Sequence, residues 1–127
     1  QGSVQEPWKA EVQRFFEGVR THSSEDSFLP KNRDARCEKF KAVLETLDGF
    51  QLRGATASRG IANLFATWQA VLEGIVLSTI QEQLKRFPDV DGVVLTGGVA
   101  GNWVLNSRLL SDLPKLVYIP ALPTDAG

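Results

Sequence analysis

Between Ile61 and Phe87 apolar side chains recur at steps of three and four: Ile61, Leu64, Phe65, Trp68, Val71, Leu72, Ile75, Val76, Ile80, Leu84 and Phe87, with Thr79 in register. That spacing predicts one long helix with a wide apolar stripe. Such a helix is expected to be largely buried, so the rest of a 127-residue chain must supply its cover. Pro88 and the acidic turn Asp89-Val90-Asp91-Gly92 end it. Val93, Val94 and Leu95 follow as consecutive apolar residues, the pattern of a parallel strand covered on both faces. The run stops at Gly97-Gly98, and a short amphipathic helix is expected from Asn102 to Leu110. Asp112-Leu113-Pro114 reads as a turn, and Leu116 to Ile119 as a second strand closed by Pro120. The order predicts an α/β class: a right-handed parallel βαβ unit with the long helix packed on it.

The part before residue 60 reads as helical. Pro7 suits a first helical turn, and Trp8, Val12, Phe15, Phe16 and Val19 fall on one face. Residues 1–6 are expected to fray, and residues 21–33 to form a loop broken by Pro30. Asp34 is expected to cap a second helix running to about Leu47, with Cys37, Phe40, Val43 and Leu44 on its apolar face. If nothing covers them, Trp8, Phe15, Phe16 and Phe40 would offer a surface to a protein partner. The expected division is 1–59, a helical segment with no assigned role, and 60–127, an incomplete α/β domain.

Charge and composition exclude more than they assign. The formal net charge is −1, so no global field points to nucleic acid or a membrane surface. Residues 1–60 hold 10 Lys and Arg against 9 Asp and Glu, and residues 61–127 hold 4 against 6, so the first part is the more solvated. Cys37 is the one cysteine, which rules out an internal disulfide and a cysteine-based metal cluster. His22, the one histidine, sits in a Ser/Glu/Asp loop with no base-and-thiol pairing. Glu73 and Gly74 interrupt the most apolar helical stretch, so no membrane span is expected. The chain holds no methionine and stops at Thr124-Asp125-Ala126-Gly127, just past the expected second strand, so a processed product or part of a longer protein is expected.

The chemistry concentrates in the stretch after the first strand. Side-chain-free residues at a strand end let a ligand approach the backbone closely. A helix N-terminus just beyond presents unpaired N–H groups and partial positive charge, which suits a phosphate or carboxylate. A plainer reading stands beside this one: two glycines in a turn that binds nothing, and Asn102 as an ordinary N-cap. Gln69 and Glu73 fit equally as polar exceptions on a core helix.

Three segments in order carry a resemblance: Ile61-Ala62 with Gln69 and Glu73; Gly97-Gly98-Val99-Ala100-Gly101-Asn102; and Pro120 through Asp125 to Gly127. Together they resemble the O-carbamoyltransferase family of nodulation-factor and antibiotic-tailoring enzymes, over about residues 60–127. The enzymes that make threonylcarbamoyladenosine in tRNA share the first two motifs, and Thr124-Asp125 fits both patterns; Pro120 and Gly127 favour the O-carbamoyltransferases. The resemblance implies a fragment of the actin/sugar-kinase/Hsp70-like ATPase fold. It implies ATP, carbamoyl phosphate and a hydroxyl acceptor as substrates, with a carbamoyl-adenylate between them. It also implies a divalent metal, iron by family, on the phosphates. Carried over, Gly97 and Gly98 lie against the nucleotide, Asn102 bonds the nucleoside or a phosphate, and Asp125 is a metal ligand. Asp125 also fits as a plain loop or cap residue.

Two departures bear on activity. Gly101 stands where the family usually has leucine, and Trp103 where a small residue is common. The family's metal histidines have no counterpart, since His22 lacks the context. The expectation is therefore a chain that supplies part of a nucleotide and metal site and does not catalyse alone. The other reading is a non-catalytic carbamoyltransferase-like subunit or scaffold in a larger assembly.

Overall fold

The computed structural model describes residues 2–20, 30–51, 54, 57–121 and 123. Among these described residues, four helices and two short strands follow in the order α1 (Glu6–Arg20), α2 (Pro30–Thr46), α3 (Ala57–Arg86), β1 (Gly92–Val94), α4 (Trp103–Asp112) and β2 (Leu116–Tyr118), with a 3-10 turn at Gly98–Gly101 before α4. The strands pair in parallel, Gly92 with Leu116, Val93 with Val117 and Val94 with Tyr118. The class is α/β, as the alternation of helical and strand patterns requires. The chain divides into two compact units, Gln1–Val71 and Leu72–Gly127, and the division falls inside α3.

In the first unit α2 starts at Pro30, four residues before the expected cap at Asp34, which lies inside the helix. Pro30 is the first described residue of α2 and is helical, residues 21–29 lying outside the described residues; proline's fixed φ and missing N–H cost nothing in a first helical turn. Trp8, Leu47 and Leu64 form a buried core with Leu44 and Phe50 against it. Trp8 Nε1 donates to the Asp48 carbonyl at 3.0 Å, and its ring meets Phe50 edge-on at 5.8 Å. Phe15, Phe16 and Phe40 close on Trp68, with ring centroids 5.0 to 5.3 Å from it. Tilted and edge-on contacts of this kind stabilise beyond area burial alone. The rings expected as a partner surface are therefore covered in part by the chain itself: Trp8 is buried against Leu47, Leu64 and Phe50, and the three phenylalanines are half-buried around Trp68.

The expected fraying before α1 is also corrected. Ser3 N donates to Asn63 Oδ1 at 2.8 Å and Gln5 N to Thr67 Oγ1 at 2.8 Å. Thr67 is fully buried and donates to the Asn63 carbonyl at 2.8 Å, so its hydroxyl is satisfied in both senses. Two backbone donors of an extended segment find acceptors on α3, which offsets the cost of ordering it.

In the second unit Leu105, Leu109 and Leu113 are buried, with Val76, Leu77, Ile80 and Leu84 of α3, Leu95 and Val117 packed on them. Each fully buried leucine contributes about 1.5–3 kcal/mol. β1 begins at Gly92, where a Cβ would stand 2.7 Å from the Leu116 carbonyl oxygen, so the close pairing of the strands requires glycine there. Val93 and Val117 face the core, while Val94, Leu116 and Tyr118 are exposed. The strand residues are thus covered on one face by the described residues, and the apolar character of both faces exceeds that cover.

The stripe of α3 shows the same excess. Leu64, Thr67 and Val71 are its buried residues, whereas Phe65 is 69% exposed and Phe87 56%. The expectation of a largely buried helix is corrected to one buried along a narrower seam, because the described elements flank it on part of its circumference. By length and apolarity α3 is the one helix among the described residues that could cross a membrane. A core helix passes the same test. Leu64 and Val71 are buried, and Val76, Leu77, Ile80 and Leu84 pack on the second core.

Candidate functional site

The site lies wholly in the second unit, between the end of β1 and the start of α4. Leu95 N donates to the Tyr118 carbonyl at 3.0 Å, which extends the pairing one residue past β1 and fixes where the chain leaves the sheet. Gly97 then turns it, at φ 89° and ψ 174°. That conformation is essentially closed to residues with a Cβ, at about 1–3 kcal/mol. Ala100 N donates to the Gly97 carbonyl and Asn102 N to the Val99 carbonyl, both at 3.0 Å, closing the 3-10 turn. Ala100 is buried, whereas Val99 is exposed. A Cβ at Gly98 or at Gly101 would meet no atom within 4 Å. Packing among the described residues therefore does not demand glycine at Gly98, and as far as these go the backbone there is open to an approaching group.

Asn102 caps α4. Its Oδ1 accepts from Leu105 N at 3.1 Å, and its carbonyl accepts from Asn106 N at 3.0 Å. Both readings made for this residue from sequence place it here, and the geometry establishes the cap. A cap of this type satisfies the third helical N–H and leaves those of the first two residues, Trp103 and Val104, outside the helical ladder. Trp103 is 77% exposed beside them. The turn and cap thus present backbone donors and partial positive charge to solvent, an arrangement suited to an anionic oxygen.

An ion pair ties α4 to α3, and a second lies within α4. Arg108 Nη1 donates to Glu73 Oε2 at 3.0 Å, and Arg108 Nε to Asp112 Oδ2 at 3.3 Å. The hydrogen bond to Glu73, followed by that to Asp112, raises the Arg108 pKa above its ordinary value. Glu73, a polar exception in the α3 stripe, is thereby tied to α4. Asn106 was not singled out from sequence. Its Nδ2 donates to the Ala100 carbonyl at 2.8 Å, and its Oδ1 is buried without a hydrogen-bond partner among the described residues. Its place one turn after the Asn102 cap was the one available signal.

Gly97, Gly98 and Asn102 are brought together; Asp125 lies outside the described residues, as do His22 and Gly127. No three His, Cys, Asp or Glu side chains stand together among the described residues, so these do not assemble the donor set of a divalent metal. A separate apolar hollow of about 280 Å³ lies between the end of α3 and β1, lined by Ile80, Leu84, Phe87, Val90 and Val93 with Thr79 and Gln83. Its lining holds no titratable group.

The second unit is thus an α/β element with a backbone-donor turn at a strand end. The chain is similar to the tRNA N6-adenosine threonylcarbamoyltransferase of Lactiplantibacillus plantarum, at 37% identity over 73 residues, covering 58% of this chain and 20% of that protein. It spans about one fifth of that relative's length. No family profile matches the chain, and no solved structure matches it.

Proposed function

We propose that this chain forms part of an ATP-dependent carbamoyl-type transferase of the actin/sugar-kinase/Hsp70-like fold and supplies one wall of its nucleotide site. The observation that carries the reading is the Gly97-Gly98 turn leading into the Asn102-capped helix, in a chain similar to a threonylcarbamoyltransferase. In this reading the backbone at Gly97 and Gly98 lies against ATP. Asn102 fixes the first turn of α4, so that the N–H groups of Trp103 and Val104 meet phosphate or ribose oxygens. Such donors cost no reorganisation when charge develops on the phosphate chain. Asp125 would hold a divalent metal, iron by family resemblance, which would offset phosphate charge. Histidines from elsewhere would complete that site.

The motifs from Pro120 to Gly127 favour transfer from carbamoyl phosphate, through a carbamoyl-adenylate, to a hydroxyl acceptor. The similarity to the tRNA-modifying enzyme favours the N6 amine of an adenosine in tRNA as acceptor. A non-catalytic subunit is the remaining alternative.

Titrating the chain with ATP by calorimetry tests the shared core of these readings. Binding is expected, weakened at least about 10-fold by Gly98→Val, whose side chain would occupy the open approach without disturbing packing. ATP binding that is indifferent to Gly98→Val sinks the placement of the nucleotide. Incubation with ATP and carbamoyl phosphate is expected to yield no product from the isolated chain.

A further inference from the structure

We infer that Asn106 is a positioning residue for the ligand turn: it anchors the Ala100 carbonyl from beneath, so that the outward face of residues 97–102 is preset before a ligand arrives. The inference rests on reading that turn as a nucleotide contact. Asn106 is half-buried on α4, next in sequence to the buried Leu105. Its Nδ2 reaches the Ala100 carbonyl at 2.8 Å, six residues back, across the cap. The orientation of the amide follows from chemistry, because a carbonyl accepts only, and so the nitrogen must face Ala100. The opposite oxygen is then left buried and unsatisfied among the described residues.

An unsatisfied buried acceptor loses its hydration without recompense, and that loss is larger than the net gain of one hydrogen bond. Leucine would fill nearly the same volume and remove the orphaned oxygen, but it would strip the carbonyl of the buried Ala100 of its donor. What leucine cannot do is hold the Ala100 carbonyl. With that anchor gone, the turn keeps two internal bonds, Ala100 N to Gly97 and Asn102 N to Val99, between residues that include three glycines, Gly97, Gly98 and Gly101. Glycine has the largest conformational entropy to regain, so the turn is the part of this unit that relaxes. Local order and global stability should therefore move apart when Asn106 is replaced.

The test compares wild type, Asn106→Leu and Asn106→Asp by amide hydrogen exchange, thermal melting and ATP titration. Asn106→Leu is expected to melt close to the wild-type temperature, because it removes one unsatisfied acceptor, Asn106 Oδ1, and creates another at the Ala100 carbonyl. Exchange at Ala100 and Asn102 is expected to speed up about 5- to 10-fold, the worth of one net hydrogen bond, with Leu109 and Leu113 unchanged. ATP affinity is expected to fall by a similar factor. Asn106→Asp keeps the shape but loses the donor, and is expected to loosen the same two amides. Wild-type exchange at Ala100 and Asn102 in both variants overturns the proposal, as does faster exchange spread evenly over α4 with a lowered melting temperature. If wild type binds no ATP, the nucleotide reading falls, and the exchange measurements decide the anchor by themselves.

Discussion

Up to Val71 the chain closes with aromatic rings, and from Leu72 onward with leucines. In the first unit Trp8 meets Phe50 edge-on, Phe15, Phe16 and Phe40 meet Trp68 edge-on or tilted, and the one fully buried polar side chain among the described residues, Thr67, has both of its hydrogen bonds made. In the second, Leu105, Leu109 and Leu113 close one side of α4, while polar atoms gather at its start and one atom there, Asn106 Oδ1, goes unsatisfied. The contrast separates packing from chemistry. Where a buried polar group such as Thr67 is answered from within, the residues explain the fold. Where a strand end exposes bare backbone and tolerates an orphaned acceptor, the local rules are relaxed, as is common where a ligand completes the arrangement.

The largest effects should come from the two cores. Trp8→Ala is expected to cost about 3–5 kcal/mol and Leu109→Ala about 2–5 kcal/mol, read by denaturant unfolding. Amide exchange should place the first loss among residues 44–64 and the second in α4 and β2. Loss spread evenly over both units in either variant would erase the distinction. Thr67→Val should follow at about 1–3 kcal/mol, because Gln5 N–H loses its acceptor. Release of residues 2–5 in its amide spectrum would sharpen the point.

Gly97→Ala tests the turn as Thr67→Val tests the strap. At φ 89° it should cost about 1–3 kcal/mol and displace the cap resonances of α4. A silent Gly97→Ala would show the turn to be unstrained. The smallest effect is expected from Arg108→Met, below about 1 kcal/mol, because that ion pair is 40% exposed on the arginine side. A raised folded-state pKa contributes stability in full below the unfolded value, and that contribution is lost only as pH climbs beyond about 12. Arg108 therefore stays charged from pH 5 to 9, and any pH dependence of α4 unfolding in that window must come from other groups.

Sequence made the second unit legible to within two or three residues: the apolar run into Gly97-Gly98 gave strand and turn, and Asn102 before an amphipathic segment gave the cap. Those signals are local. What stayed hidden depends on contacts distant in sequence. The strap of residues 2–5 needs Asn63 and Thr67, some sixty positions away, so a polar terminus read as frayed. The start of α2 turned on whether Pro30 broke a loop or opened a helix, and proline permits both. Asn106 carries no motif by itself; only the approach of its amide to Ala100 gives it a role. The wide stripe of α3 correctly predicted a helix, but a stripe records how much surface wants cover and not which neighbour supplies it.

The three tryptophans sit in three settings: Trp8 of α1 buried against Leu47 and Leu64, Trp68 ringed by phenylalanines and Trp103 77% exposed one residue past the cap. Their emission should separate accordingly, with the red-shifted, acrylamide-quenchable component arising from Trp103. The chain thus has an intrinsic optical reporter beside the Gly97-Gly98 turn. Anything that settles on Gly97 and Gly98 can be followed by fluorescence without a label, and the two shielded indoles serve as the internal reference.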